Sequence, residues 1–203
     1  MDSLRVKQEA FQFSDGGATP TSTLQLHLKL IRSQLALNIY AQWHYLGSTS
    51  FIGSIHFGVW FEGQWLGAIS YGPPSATDFD PYWTRTTQAG WWDIKRLALS
   101  PRCPKNSESR IIAISIRLLR GMELVRGIIT YADTAQNHEG IIYKAAGFQA
   151  LGLSDEKCDY VIDGRVQQRG SVKGKNGQWI PRSRKFVLIK DFTSRLPLGQ
   201  EPA

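Results

Sequence analysis

The segment from residue 91 to 148 constrains the fold most, because strand-like and helix-like stretches alternate in it with short connections. Residues 92–101 are rich in leucine and β-branched side chains and end at a proline, which predicts a strand. A loop and a longer helix follow, then a predicted strand at 126–133 and a short helix over 140–146 that Gly147 closes. This order predicts an α/β fold with a parallel sheet and helices packed on it.

The longer helix of this segment is predicted to begin at Ser107, with that serine as its N-cap and Glu108 in the first turn. Its predicted apolar face consists of Ile111, Ile112, Ser115, Ile116, Leu118, Leu119 and Met122. Arginines at 110, 117 and 120 fall on the opposite side. We therefore expect one face of the helix to pack on the sheet.

Other elements follow from local periodicity and turn residues. Alternating leucines over 24–30 predict a half-buried strand, and a helical period from Ser33 predicts a helix that ends near Gly47. Residues 56–71 predict a β-hairpin with Glu-Gly as its turn. Further strands are predicted at 160–162 and 187–189. Residues 75–90, with Tyr82 and Trp83, predict a long connecting loop.

Positive charge is concentrated near the C-terminus. The chain has 24 Lys and Arg against 17 Asp and Glu, a net charge of +7. Between residues 164 and 195 there are nine Lys or Arg and one Asp, so this segment carries the whole excess. Such a cluster predicts contact with nucleic-acid phosphates, whereas the total charge alone could serve solubility. The predicted nucleic-acid-binding residues are Arg165, Arg169, Lys173, Lys175, Arg182, Arg184 and Lys185.

Two cysteines, Cys103 and Cys158, form neither a disulfide framework nor a zinc pattern, which favours a reducing cytoplasm. No apolar run is long enough to span a bilayer, and the N-terminus lacks the pattern of a signal peptide. We therefore expect a cytoplasmic protein without a membrane partner.

The order of these elements resembles the GNAT acyltransferase fold, a mixed central sheet with flanking helices. The most recognisable stretch is Tyr143-Lys144-Ala145-Ala146-Gly147-Phe148. The resemblance implies that Tyr143 acts as general acid to the leaving group. The alternative is a core tyrosine whose hydroxyl is hydrogen-bonded.

A narrower resemblance is to the phage Mom family, GNAT-like enzymes that convert adenine in phage DNA to N6-carbamoylmethyladenine and so block restriction. The motifs that carry it are Trp43-His44-Tyr45, Ser70-Tyr71-Gly72, Asp93-Ile94-Lys95-Arg96-Leu97, Asn106-Ser107-Glu108-Ser109-Arg110, Tyr131-Ala132-Asp133 and His138-Glu139-Gly140. The resemblance implies site roles for His44, Tyr45, Tyr71, Asp93, Arg96, Ser109 and Tyr143. It also implies double-stranded DNA as substrate and the cytoplasm of a phage-infected or prophage-bearing bacterium as location.

With this resemblance, we expect a flexible arm at 1–22, a GNAT-like catalytic domain at 23–163 and a basic extension at 164–203 packed on the same domain. The extension is expected to be a ribbon or loop, because it is polar and rich in glycine. An ordinary GNAT N-acetyltransferase acting on a small amine or a protein is one alternative. A non-catalytic nucleic-acid-binding protein is another.

The acyl donor is predicted from a departure and from product chemistry. GNAT enzymes that bind coenzyme A usually place a glycine-rich loop before the central helix, whereas residues 101–109 contain no glycine. Lys105, Ser107, Ser109 and Arg110 are instead the candidate donor-binding residues. Because a plain acyl transfer leaves a carbonyl on N6, glycyl-tRNA is preferred over acetyl-CoA as the donor.

The mechanism implied by the resemblance requires the adenine to leave the base stack. Tyr45, Tyr71 and the aromatic residues of 82–92 are the candidate stacking surfaces. Asp93 or His44 would take a proton from N6, Arg96 would hold a carbonyl oxygen or a phosphate, and Tyr143 would protonate the leaving group. His44, Asp133 and His138 could instead hold iron or another metal, although their spacing does not require one.

Overall fold

The computed structural model describes residues 17–44, 53–74, 90–123, 125–136, 139–167 and 176–192. Contacts divide the chain into two compact units, Met1–Val125 and Arg126–Ala203. Several predicted features lie outside the described residues: Tyr45, Tyr82, Trp83, His138, Arg169, Lys173, Lys175 and most of the N-terminal arm. Among the described residues, no helix combines the length and the hydropathy needed to cross a bilayer.

The first unit contains four antiparallel strands in the order β1-β2-β3-β4. They are β1 (His27–Leu30), β2 (Ile55–Phe61), β3 (Gln64–Gly72) and β4 (Trp91–Leu99). The predicted hairpin and the predicted β4 are confirmed. Glu62 and Gly63 both have positive φ, 40° and 83°, which is the turn geometry that fits a tightly twisted hairpin.

Helix α1 (Ser33–Trp43) packs on one face of this sheet. It buries Ile39 and Tyr40 against the small side chains of Ala68 and Ala98, which let the helix approach the strands closely. The helix ends at Trp43, earlier than the predicted end near Gly47. His44 is its C-terminal cap residue.

Helix α2 (Ser107–Met122) buries most of its predicted apolar face, although Leu118 and Met122 are exposed at the edge. The prediction that Ser107 is the N-cap is wrong. Asn106 caps the helix in the left-handed conformation, φ 70°, and the Ser107 hydroxyl donates to the Pro104 carbonyl over 2.6 Å. That hydrogen bond turns the side chain back toward the loop, away from the helix N–H groups.

The predicted strand over 24–30 is half correct. Thr23–Gln25 forms a 3₁₀ turn, and only His27–Leu30 is a strand. The 3₁₀ turn forms in place of a strand because Ser22 and Gln25 form a reciprocal capping box, which satisfies backbone N–H groups locally.

The second unit contains a three-stranded antiparallel arrangement in the order β5-β10-β6. The strands are β5 (Gly127–Asp133), β6 (Gln149–Leu153) and β10 (Lys185–Asp191). The predicted strands at 126–133 and 187–189 are confirmed. Helix α3 (Ile141–Ala145) ends as predicted, with Gly147 at φ 81° supplying the left-handed turn after the cap.

A separate small sheet follows in the same unit, in the order β8-β7-β9. It consists of β7 (Cys158–Ile162), β8 (Arg165–Val166) and β9 (Gln178–Pro181). The sequence predicted only β7 of these. The others were missed because β8 has two residues and β9 ends in a proline, and β6 was missed because a glycine interrupts its short run.

Every strand pairing within the described part of either unit is antiparallel. The predicted parallel pairing concerns β4 and β5, which belong to different units, and stays a prediction. The predicted boundary between residues 163 and 164 falls in the tight turn between β7 and β8, where Asp163 and Gly164 both have positive φ. That boundary also stays a prediction.

Candidate active site

A β-bulge gathers polar side chains in the first unit. Ser70 lies opposite Arg96, whereas Tyr71 lies opposite Ile94, so β4 contains one extra residue, Lys95. Such a bulge kinks the strand and redirects its side chains. Here the Lys95 ammonium lies 2.8 Å from the Asp93 carboxylate, and both side chains are nearly buried.

The bulge is followed by Arg96, whose side chain meets the C-terminus of α1. One of its terminal nitrogens lies 3.4 Å from Nδ1 of His44, and Arg96 is only 8% exposed. Because arginine can only donate, Nδ1 of His44 accepts, and a neutral His44 then carries its proton on Nε2. The backbone N–H of His44 donates to the Tyr40 carbonyl over 2.9 Å, which fixes the histidine at the helix end.

A buried chain of hydroxyl and imidazole groups lies beside this pair. The Ser70 hydroxyl is 2.7 Å from the Tyr40 hydroxyl and 2.7 Å from Nδ1 of His56, and Tyr40 also donates to the Arg96 carbonyl over 3.3 Å. Burial raises the pKa of Tyr40 above its ordinary value and lowers that of His56, so both groups stay neutral. The chain therefore anchors the backbone of Arg96 without introducing another buried charge.

Tyr71 points into the other side of the unit. It is fully buried, and its hydroxyl is 2.7 Å from the Ser115 hydroxyl on α2. Since Ser115 donates to the Ile112 carbonyl, Tyr71 donates to Ser115. The expected stacking role of Tyr71 is wrong for this structure, because the ring offers no surface to a base.

The loop before α2 contains no glycine, yet one of its residues adopts a backbone conformation that glycine favours. Asn106 adopts the left-handed conformation that glycine would supply, and its side chain makes no capping hydrogen bond. Ser109 donates to the Asn106 carbonyl over 3.1 Å, and Lys105 is exposed. Within the described part of the chain, the buried Nε of Arg110 has no hydrogen-bond partner. Asn106 therefore supplies a left-handed backbone position in this loop without glycine, and the donor-binding roles of Lys105, Ser107, Ser109 and Arg110 stay predictions.

Tyr143 and Asp133 belong to the second unit. Tyr143 is half-buried with its ring edge against Phe148, and the Asp133 carboxylate accepts from the Ala135 N–H over 3.0 Å. The general-acid role of Tyr143 stays a prediction. No group of three or more His, Cys, Asp or Glu among the described residues could hold a metal, and His138 of the expected trio lies outside them.

The predicted nucleic-acid-binding residues that the structure describes lie in or beside the last strands. Arg165 and Arg182 are exposed, and Lys185 is half-buried at the start of β10. Arg182 lies 3.8 Å from Asp159, and Arg184 donates to the Ser154 carbonyl over 2.7 Å.

Sequence reasoning missed Tyr40, Ser70, His56 and Lys95. Two signals could have indicated them. Tyr40 lies one helical turn before His44, on the same face, and Ser70 is a polar residue inside an apolar strand, where a hydroxyl needs a partner.

Comparisons with known proteins show which family the chain resembles. The model of the Mom protein family matches residues 25–193. Methylcarbamoylase mom of Escherichia phage Mu is 28% identical over 180 residues, which covers 83% of this chain and 72% of that protein.

Solved structures show the fold. Aminoglycoside acetyltransferase AAC(6')-Ib, in complex with coenzyme A and kanamycin, has a TM-score of 0.52 at 13% identity and covers 83% of this chain and 96% of its own. A GNAT-family acetyltransferase from Streptococcus pneumoniae has a TM-score of 0.50 at 12% identity, covering 82% and 99%. The predicted GNAT-like α/β fold is confirmed, and, because the family model spans most of its length, the chain belongs to the Mom protein family.

Proposed function

We propose that this protein is a transferase that converts adenine in double-stranded DNA to N6-carbamoylmethyladenine and thereby protects the DNA from restriction. Membership of the Mom family and similarity to a methylcarbamoylase support the substrate. The observation that carries the chemistry is the contact between Arg96 and His44 beside the Asp93–Lys95 pair. It puts a cation and an imidazole together at the C-terminus of α1, and the Asp93 carboxylate precedes Arg96 by three residues on β4.

Each of these groups has a distinct task. Arg96, held by its backbone hydrogen bond from Tyr40, stabilises negative charge on the oxygen of the transferred group. His44 donates from Nε2 to the same oxygen. Asp93, whose carboxylate lies 2.8 Å from the Lys95 ammonium, takes the proton from N6 as the amine attacks. Of the two bases considered from the sequence, Asp93 is therefore favoured over His44.

The donor follows from the product group, C6–NH–CH2–CONH2. Glycyl-tRNA would first transfer its glycyl group to N6, forming an amide and releasing the free 3′ hydroxyl of the tRNA. The free glycyl amine would then attack C6, through a five-membered spiro ring, and the amide nitrogen would leave C6. This rearrangement conserves all atoms and yields the carbamoylmethyl group, whereas acetyl-CoA alone would yield N6-acetyladenine.

Adenine N6 lies inside the duplex, so the base must be flipped before transfer. The cationic residues of 164–195 would bind the DNA backbone, and their contribution would fall as salt rises. Phosphates of the donor would bind at the N-terminus of α2, where Asn106 leaves the first N–H groups uncapped by its side chain.

Mass spectrometry of nucleosides from DNA of expressing cells tests the function. We expect a carbamoylmethyl adenosine with the wild-type protein; an unmodified digest rejects the function. Purified protein supplied with glycyl-tRNA whose glycine amine is heavy nitrogen tests the route. The label should remain on C6 after hydrolysis of the amide, since the original N6 becomes the amide nitrogen. Modification supported by acetyl-CoA without tRNA would reject the glycyl route.

A further inference from the structure

One face of the small sheet β8-β7-β9 combines aromatic, apolar and cationic side chains. Tyr160 lies directly opposite Trp179, and Ile162 lies opposite Arg165. Side chains alternate along a strand. The Trp179 face, as it is named here, therefore contains Cys158, Tyr160, Ile162, Arg165, Trp179 and Pro181. None of the six is acidic.

The Trp179 face is open and its aromatic pair is fixed in position. Trp179 is 58% exposed, and its ring centroid lies 5.0 Å from that of Tyr160 at an interplanar angle of 57°. Gly177 sets this arrangement, since a Cβ there would lie 2.6 Å from the Val161 carbonyl and 2.9 Å from the Tyr160 ring. Only glycine at position 177 lets the backbone lie this close to the Tyr160 ring. This close approach places Trp179, two residues later, next to Tyr160.

The opposite face of the same sheet has a different character. Ile180 lies opposite Asp159, and Asp159 pairs with Arg182 over 3.8 Å. Val161, Val166 and Ile180 are the apolar residues of that face, and its carboxylate and guanidinium form an ion pair. The Trp179 face, in contrast, presents Arg165, which is exposed on β8 opposite Ile162, two residues along β7 from Tyr160. A cation beside an exposed aromatic surface suits a nucleic acid, whose bases stack and whose phosphates attract arginine.

We propose that the Trp179 face stacks an unpaired base of the DNA substrate while Arg165 contacts the neighbouring phosphate. This assignment rests on the proposed function, because the flipping of adenine is what leaves bases unpaired in the duplex. DNA is favoured over RNA for the same reason, since the reaction itself supplies the unpaired base at the place where the enzyme is bound.

Binding of the full-length protein to three labelled DNAs tests this role: a single strand, a duplex with a short central bubble and a fully paired duplex of the same length. Trp179→Ala should weaken binding to the first two by about tenfold, because stacking on one aromatic is worth about 1–3 kcal/mol. The slope of affinity against salt should stay unchanged. Trp179→Tyr should restore most of the affinity.

Two matched variants separate stacking from charge and from general surface loss. Ile180→Ala removes exposed apolar surface from the opposite face of the same strand, where Ile180 is 45% exposed, and should leave binding unchanged. Arg165→Gln should lower the salt slope by about one while keeping the preference for unpaired DNA. Far-ultraviolet circular dichroism confirms that each variant is folded.

Four results would overturn the assignment: equal losses for Trp179→Ala and Ile180→Ala, equal losses on paired and unpaired DNA, tighter binding to a matched RNA than to the DNA strand, or a change of oligomeric state with no change in DNA affinity. The nucleoside assay distinguishes this failure from that of the function. If wild-type protein makes no modified adenine but Trp179 is needed for unpaired DNA, the function fails and the stacking role stands.

Discussion

The polar groups around Arg96 and the Trp179 face use similar side chains in opposite environments. In the first unit, Tyr40 and Arg96 are buried, and the Tyr40 hydroxyl is hydrogen-bonded to Ser70 and to the Arg96 carbonyl. In the second, Trp179 and Arg165 are exposed on the outer strands, β9 and β8, of a three-stranded sheet. Burial fixes geometry at the cost of desolvation, whereas exposure leaves a surface able to bind and release a partner.

The difference fits two separate roles, transfer chemistry for the buried groups around Arg96 and DNA binding for the Trp179 face. A transferring centre needs groups held to within a fraction of an ångström, which the chain Tyr40–Ser70–His56 provides through hydrogen bonds. A DNA-binding surface must bind at many positions along the polymer. Exposed cations and aromatic rings can do so, because contacts with phosphates and stacking on bases do not require one fixed geometry. Changes in the first region should therefore alter rate and stability, and changes in the second should alter affinity.

The largest expected effect is on activity and comes from Arg96. Arg96→Met keeps much of the buried volume but removes the guanidinium, and we expect modification to fall by roughly a hundred- to a thousandfold. Quantitative nucleoside analysis of DNA from expressing cells measures it. Arg117→Met, a change of the same chemistry at an exposed position on α2, is the matched control and should reduce modification far less.

The next largest expected effect is the difference in reactivity between the two cysteines, one in each unit. Burial raises the pKa of Cys103 to about 11, so little of it is thiolate at neutral pH, whereas Cys158 on β7 is exposed. Native alkylation followed by peptide mass spectrometry should label Cys158 faster by on the order of a hundredfold. Equal rates would mean that the Cys103 environment is open.

A smaller effect, on stability, is expected at Ser70. Ser70→Val leaves the Tyr40 hydroxyl and Nδ1 of His56 without the group they share, which should lower the free energy of unfolding by about 2 kcal/mol. Chemical denaturation measures this. Ser70→Thr keeps the hydroxyl and should recover most of the lost stability. A Ser70→Val variant as stable as wild type would show that these hydrogen bonds do not stabilise the fold.

The smallest effect is a pH dependence that His56 contributes. Burial lowers the pKa of His56, so the folded protein keeps it neutral while the unfolded chain binds a proton below about pH 6.5. The stability contributed by neutral His56 is present above that pH and is lost as pH falls toward the folded-state pKa. His56→Gln should reduce the pH dependence of the free energy of unfolding below about pH 6.5. An unchanged pH dependence in this variant would contradict the role given to His56.

Local elements were predictable from the sequence, because proline, glycine and apolar spacing act over a few residues. The β2–β3 hairpin and the C-terminus of α3 follow from Glu62-Gly63 and Gly147 alone. The capping of α2 was not predictable, because Asn106 and Ser107 both favour the cap position and only the hydrogen bond to Pro104 decides between them.

The site was predictable only through family resemblance. His44 and Arg96 are 52 residues apart, and no local pattern brings them together. The Tyr40–Ser70–His56 chain was missed because it depends on the packing of α1 on β3, and Tyr71 was misassigned because the sequence does not say which face of β3 it occupies. On β4, the bulge at Lys95 places Ile94 and Arg96 on opposite faces, and the periodicity of one strand cannot reveal such a change.

The most direct test of the central claim is the adenine nucleoside profile of DNA from cells that express wild-type protein or the Arg96→Met variant at equal levels. We predict a carbamoylmethyl adenosine peak with wild type that is lost, or nearly lost, with the variant, while both proteins bind DNA equally well. An undiminished peak with Arg96→Met, or no such peak with wild type, would contradict a DNA-modifying centre built around Arg96.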